Sequence, residues 1–256
     1  MKHPLRTLLL AVCCGLAAAC TQRQERLKLM SYNIRNGIGI DNIQDIDRIA
    51  RVILREAPDL VALQELDSAT LRVDGRYIPG ELGRMTGMHA TFGRAIGFAG
   101  GSYGIGLLSR TEPLAVRSIP LPGREEARVL LMAEFPDYTV CITHLSLTPE
   151  DRLASLPIIR EATDTCRKPV LLAGDFNTGN AAAVLAGLGG FRILSDTTRM
   201  TFPSDNPAVR IDYSVGRGLP TSATVAESAV DHTATASDHC PLWVTLVWKR
   251  GKQPGK

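Results

Sequence analysis

The 256 residues are 45% apolar and 21% charged, enough apolar chain for a sizeable core and unlike the composition of a disordered segment. The formal net charge is +3, and setting aside Lys2 and Arg6 of the leader leaves 27 basic against 26 acidic residues. A body so near neutrality has no electrostatic footprint for gripping long nucleic acid, so sequence-specific nucleic-acid binding is not expected.

At the N-terminus, Lys2 and Arg6 precede an apolar run at residues 8–16. That run is too short to span a bilayer and has the length of a signal-peptide core. It ends in Ala17-Ala18-Ala19-Cys20, which resembles a bacterial lipobox, where cleavage before the cysteine frees a thiol for a diacylglycerol. Leu16 stands four residues before Cys20, one further than the usual pattern, so ordinary signal-peptidase cleavage remains an alternative. The expectation is a signal peptide over residues 1–19 and a polar tether over 20–26. The protein is then an exported lipoprotein held to a membrane through Cys20, and Thr21 in place of an aspartate points to the outer membrane. Beyond the leader and Cys20 remain Cys141, Cys166 and Cys240, an odd set without a close pair, which suggests neither a zinc site nor a disulfide framework.

One domain is expected over residues 27–248, followed by a basic tail over 249–256. Short β-rich apolar runs recur at residues 27–32, 60–64, 105–109, 129–135, 139–143, 170–173, 211–215 and 242–248. Ile46, Ile49, Ala50, Ile53 and Leu54 follow helical spacing up to Pro58. A second helical pattern covers residues 150–166, with Pro157 expected to kink or split it. Many strands with few helices suggest helices packed outside sheets. The Gly-rich run at residues 97–106 lacks the Lys-Ser/Thr ending of a nucleotide-cradling loop and reads as a turn into a strand.

Polar residues cluster where the buried-strand patterns end. Residues 60–63 run into Gln64-Glu65, residues 140–143 into His144, and residues 170–173 into Gly174-Asp175-Phe176-Asn177. Ser237-Asp238-His239 opens the last strand. Carboxylates and imidazoles at strand ends, where loops converge, are how a rigid scaffold presents a site. Taken singly, each has an ordinary structural reading: a solvated loop acid, a turn former, a core histidine. Their joint occurrence carries the argument.

Tyr32-Asn33-Ile34, Leu63-Gln64-Glu65, Thr143-His144-Leu145, Gly174-Asp175-Phe176-Asn177, Arg210-Ile211-Asp212-Tyr213 and Ser237-Asp238-His239-Cys240-Pro241 resemble the signature blocks of the endonuclease/exonuclease/phosphatase family, in that family's order. The resemblance implies an α/β fold: a four-layer αββα sandwich of two packed mixed β-sheets flanked by helices. It also implies hydrolysis of a phosphate ester with Mg²⁺, or Mn²⁺ in its place. Glu65 becomes the candidate metal ligand, with Asn33 and Asp238 completing or supporting the metal shell. Mg²⁺ takes few carboxylates and keeps much of its water. The resemblance further makes Asp175 the group that orients or deprotonates the attacking water, and Asn177 a donor to the phosphoryl group. His239 contacts phosphoryl oxygens with its tautomer fixed by Asp212, and His144 faces the phosphate or leaving group.

Arg35 and the Leu66-Asp67 pair depart from the apurinic-type nucleases and lean toward the phosphodiesterase and phosphatase branch. Arg128 and Arg210 are expected as structural ion-pair partners remote from the reacting centre, and rim loops at residues 67–101 and 195–210 are expected to set selectivity. The leading expectation is a hydrolase of small or lipid-borne phosphate esters outside the cytoplasm. Its rivals are an exported metal-dependent nuclease and a non-catalytic surface-binding lipoprotein, the latter disfavoured because every candidate catalytic residue is present.

Overall fold

The structure, a computed structural model, describes residues 24–249. The expected signal peptide, Cys20 and residues 250–256 lie outside the described residues. In chain order the elements are β1 (Gln24–Asn33), α1 (Ile46–Glu56), β2 (Leu60–Ser68), α2 (Ile78–Thr86), β3 (His89–Phe98) and β4 (Gly101–Ser109). There follow β5 (Ala115–Leu121), β6 (Arg128–Glu134), β7 (Thr139–His144), α3 (Pro149–Asp164) and β8 (Val170–Asp175). The chain ends with α4 (Ala181–Leu188), β9 (Arg192–Ile193), β10 (Asp212–Arg217), β11 (Thr224–Val230) and β12 (Leu242–Lys249).

Two six-stranded sheets result, ordered β11-β12-β1-β2-β4-β3 and β5-β6-β7-β8-β10-β9. The β1–β2 and β7–β8 pairs are parallel and the others antiparallel, so both sheets are mixed. Alternation along each central strand sorts its side chains into two layers. Leu29, Leu60, Ala62, Leu107, Leu131, Ile142, Ala173 and Val244 fill the space between the sheets. Met30, Tyr32, Val61 and Leu63 face the other way, onto Ile49 and Ile53 of α1 and Leu82 of α2. On the far side, Leu130, Cys141 and Leu172 pack with Leu156 and Ile159 of α3 and with Val184 and Leu188 of α4. Three apolar layers between four structural ones make the expected αββα sandwich.

Several local expectations change. Gln24, Glu25 and Arg26, expected in the tether, open β1, because β12 extends far enough to pair with them, Gln24 opposite Lys249. Helix α1 starts where the Asp45 side chain accepts the Arg48 N–H (3.2 Å) and stops at Ala57 in the left-handed region. Its buried face takes Val52, while Leu54 is exposed. Pro157 does not split α3. Pro157 and Leu153 lie on the exposed face, so the Leu153 carbonyl that loses its donor can meet water, while Ser155, Leu156, Ile159 and Thr163 hold the opposite face. Residues 67–101 are not one rim loop: they contain α2, β3 and a buried Asp67 bound to Arg72 at 2.5 and 3.0 Å. No helix among the described residues is long and apolar enough to cross a membrane.

Candidate active site

The predicted residues meet because of strand register. His144 ends β7 directly opposite Asp175 at the end of β8, and Asp175 is opposite Asp212 at the start of β10. Across the sandwich, β1 delivers Asn33 beside Gln64 of β2. Glu65 then occupies a β-bulge: Leu63 faces Gly106 and Leu66 faces Gly104, so two residues of β2 oppose one of β4. Glu65 takes a left-handed φ of 58° at this bulge, and its carboxylate lines the cleft. Such a backbone is costly for a non-glycine residue and concentrates at functional sites. Asp238 and His239 come from the segment before β12, fixed by Ser237 Oγ donating to Asn33 O (2.7 Å) and Ser204 N donating to Asp238 O (2.7 Å).

The polar groups form one connected cluster. Asn33 Nδ2 donates to Glu65 Oε1 (2.9 Å) and to Asp175 Oδ2 (3.2 Å), tying the two sheets together. Asp175 Oδ1 accepts the Asn177 N–H (2.8 Å). Asp175 Oδ2 lies 3.6 Å from His144 Nε2 and 3.7 Å from His239 Nε2. His239 Nδ1 meets Asp212 Oδ2 at 3.0 Å, and the Phe202 ring stands 4.8 Å from the imidazole. Glu65, His144, Asp175, Asn177, Asp238 and His239 all line a cleft of about 380 Å³, while Asn33 and Asp212 stand buried behind them.

Burial and neighbouring charge set the protonation states. Burial, then Asp212, pushes Asp175 up to about 7, in the range of a general base. Burial alone would lower His239, but the charge and hydrogen bond of Asp212 prevail and raise it to about 10, so the ring is an imidazolium at neutral pH. His144 is held well below its ordinary value by burial, then by Arg128 and His239, and is neutral. The site therefore offers a poised carboxylate between a neutral and a charged imidazole.

Asn33 Oδ1 accepts the Arg35 N–H (3.1 Å) while its Nδ2 steers Glu65 and Asp175, a placement from which it can support a metal shell built on Glu65. One expectation needs adjusting. Arg128 is not remote: β6 begins at the cleft end beside β7, and its buried guanidinium lines the cleft next to His144 and Glu126. Arg210 stays structural, donating to Arg199 O (2.7 Å) with its guanidinium 5.1 Å from the Tyr213 ring. Asn177 Nδ2 donates to Leu145 O (2.8 Å), which orients the amide and uses one of its two N–H groups. Tyr103, Glu126 and Phe202 also line the cleft. In the sequence Tyr103-Gly104 stands immediately before the apolar run 105–109, whereas nothing local marks the other two.

The donor set suits a divalent cation. Glu65, Asp175 and Asp238 meet in one cleft whose lining also includes Glu126 and the cationic Arg128 and His239. Both Asp175 and Glu126 are pushed up, first by burial and then partly by neighbouring acids, the mark of surplus negative charge that a cation would offset. Asp175, Asp212 and His239 also bring one side-chain atom each within 4.8 Å of one another, but His239, charged and bonded to Asp212, has no free lone pair for a cation, which leaves the carboxylates as the donors. Oxygen-rich sites of this kind favour hard divalent cations over softer metals.

The endonuclease/exonuclease/phosphatase family model matches residues 30–239, most of the chain and all of the cluster. The chain belongs to this family. Solved structures agree on the fold. A family member from Beutenbergia cavernae is 23% identical over 88% of this chain and 72% of its own, with a TM-score of 0.69. One from Bacteroides thetaiotaomicron is 19% identical over 89% of this chain and 100% of its own, also at 0.69. A mannosyl-6-phosphatase from the same organism is 18% identical over 86% of this chain and 99% of its own, at 0.68. No curated protein matches the chain. In this endonuclease/exonuclease/phosphatase family member the two sheets each contribute part of one polar centre.

Proposed function

We propose that this family member is an exported, divalent-metal-dependent hydrolase of phosphate esters. The observation that carries the reading is the meeting of Glu65, His144, Asp175, Asn177, Asp238 and His239 in one cleft from four separate stretches of chain. Glu65 and Asp238 would hold Mg²⁺, with Asn33 steering Glu65. When bound, the ion supplies Lewis-acid polarisation of a phosphoryl oxygen and stabilises the departing one. Asp175 takes the proton from the attacking water as the new P–O bond forms and the ester P–O bond breaks. His239, kept charged by Asp212, and the Asn177 amide donate to the phosphoryl oxygens, so positioning and fixed charge supply most of the rate. His144, neutral beside Asp175, faces the phosphate or the leaving group.

The mannosyl-6-phosphatase among the structural relatives supports phosphoryl chemistry on this scaffold. A panel of monoesters, diesters and plasmid DNA, with and without Mg²⁺, tests the reading. Turnover of small esters in metal with little DNA cleavage is expected; cleavage of DNA alone would make the protein a nuclease, and no turnover of anything would end the proposal. The anchor on Cys20 is the second part of the proposal, supported by the leader pattern. Incorporation of labelled fatty acid should occur in wild type and be lost in Cys20→Ser; equal labelling of both would remove the anchor.

A further inference from the structure

One wall of the cleft is not used by the chemistry above. Tyr103 and Glu126 line it with Arg128, on the side of Glu65 and His144. Arg128 is buried and approaches Glu126 Oε1 at 3.1 Å and Glu125 Oε1 at 3.3 Å. The Glu126 side chain is only 26% exposed. A half-buried carboxylate beside an anionic phosphoryl group repels it, and burial, followed by the neighbouring acids Glu65 and Glu125, already pushes Glu126 up. Glu126 is thus ill suited to the phosphate and suited to a hydrogen-bond donor on the rest of the substrate.

Two donor-bearing or cationic groups are candidates, and the wall distinguishes them. A quaternary ammonium head needs open aromatic faces. The cleft's two aromatic rings are engaged: the Arg72 guanidinium, pinned by Asp67, sits 5.2 Å from the Tyr103 ring centre, and the Phe202 ring stands 4.8 Å from that of His239. Arg72 and Arg128 would also repel a cation. A hydroxyl both donates and accepts, which matches a wall made of a carboxylate, a phenol and a guanidinium. An alkyl chain would strip water from these same groups and return no hydrogen bonds.

Resting on the hydrolase reading, we propose that Glu126, Tyr103 and Arg128 form a specificity subsite for a neutral polyhydroxylated alcohol, so that the preferred substrate is a sugar-type phosphate ester rather than an alkyl- or choline-bearing one. Sites built to bond a hydroxyl discriminate steeply against analogues that lack it.

The test compares kcat/KM of the purified full chain in Mg²⁺ for glucose 6-phosphate, hexyl phosphate and phosphocholine, with p-nitrophenyl phosphate as a generic arm. Glucose 6-phosphate should exceed each of the other two natural-type esters by about 10-fold or more. In Glu126→Gln that ratio should fall below about 3, chiefly through a higher KM for the sugar ester, and Tyr103→Phe should narrow it in the same direction if Glu126→Gln does not fold. Hexyl phosphate or phosphocholine turned over as well as the sugar ester would overturn the subsite. So would an equal loss on every ester in both variants, which marks a general structural role. Failure to hydrolyse even p-nitrophenyl phosphate and bis-(p-nitrophenyl) phosphate would instead sink the hydrolase reading, and the subsite with it.

Discussion

The two ends of the sandwich make opposite use of charge. At the end where β7 begins lies a cavity of about 510 Å³, larger than the cleft, lined by Arg117, Glu134, Arg167 and Lys168. Lys168 Nζ there meets Glu134 Oε1 at 2.6 Å and Phe135 O at 2.8 Å, and Arg117 donates to Ala162 O at 2.9 Å. At the other end of the same strands the cavity is smaller, but Asp175, Asp212, His144 and His239 are buried against one another and Glu65 and Asn177 hold left-handed backbone. Burying titratable groups against one another costs stability, and these four are gathered at the cleft end beside two strained residues. Size does not locate the chemistry; unrelieved charge does.

The sharpest way to break this contrast is to mutate both ends. Asp175→Ala and His239→Ala should each lower turnover of bis-(p-nitrophenyl) phosphate by a factor of about 10² or more, as expected on removing a positioned base or a charge-stabilising donor. Lys168→Ala at the opposite end should stay within about 3-fold of wild type, as usual for an exposed ion pair. Comparable losses at both ends would mean that the cleft has no special standing.

A smaller effect tests how the cleft wall is held. Glu125 accepts from Ser146 Oγ (2.8 Å), Leu147 N (2.8 Å), Thr148 Oγ1 (3.1 Å) and Arg128 (3.3 Å), joining the loop before β6 to the loop after β7. Burial raises its pKa, but these hydrogen bonds prevail and bring it to about 2, from an ordinary 4.5. A carboxyl depressed on folding stabilises above its unfolded value and loses that contribution as pH falls toward the folded one. Thermal melts should therefore show Glu125→Gln less stable than wild type above pH 4.5, with the gap closing as pH falls toward about 2. A gap that does not change with pH would show that the charge of Glu125 plays no part.

What could be read from the sequence follows the same physical division. All eight strands expected from apolar runs are interior strands of the two sheets, where burial on both faces leaves a continuous apolar stretch. The strands not foreseen, β3, β5, β9 and β11, are the four edges. Pro120 sits in β5 and Glu227 in β11, residues an edge tolerates and an interior strand would not. The reacting residues were legible because they follow buried runs directly, as Asp175 follows residues 170–173. Glu126 was not: within Arg124-Glu125-Glu126 it reads as a solvated turn, and only the pairing of β6 with β7 carries it to His144. The bulge that brings Glu65 to the cleft is likewise a matter of register with β4, invisible from β2 alone.

The most direct measurement is the rate of bis-(p-nitrophenyl) phosphate cleavage as Mg²⁺ is added back to chelated protein, for wild type and Glu65→Gln. Wild type should fall by about 10² or more on chelation and recover fully with Mg²⁺, while Glu65→Gln should need about 10-fold more ion or fail to recover. Wild-type rates that persist after thorough chelation, or a Glu65→Gln curve that overlays the wild type, would contradict a divalent ion held at Glu65 in this cleft.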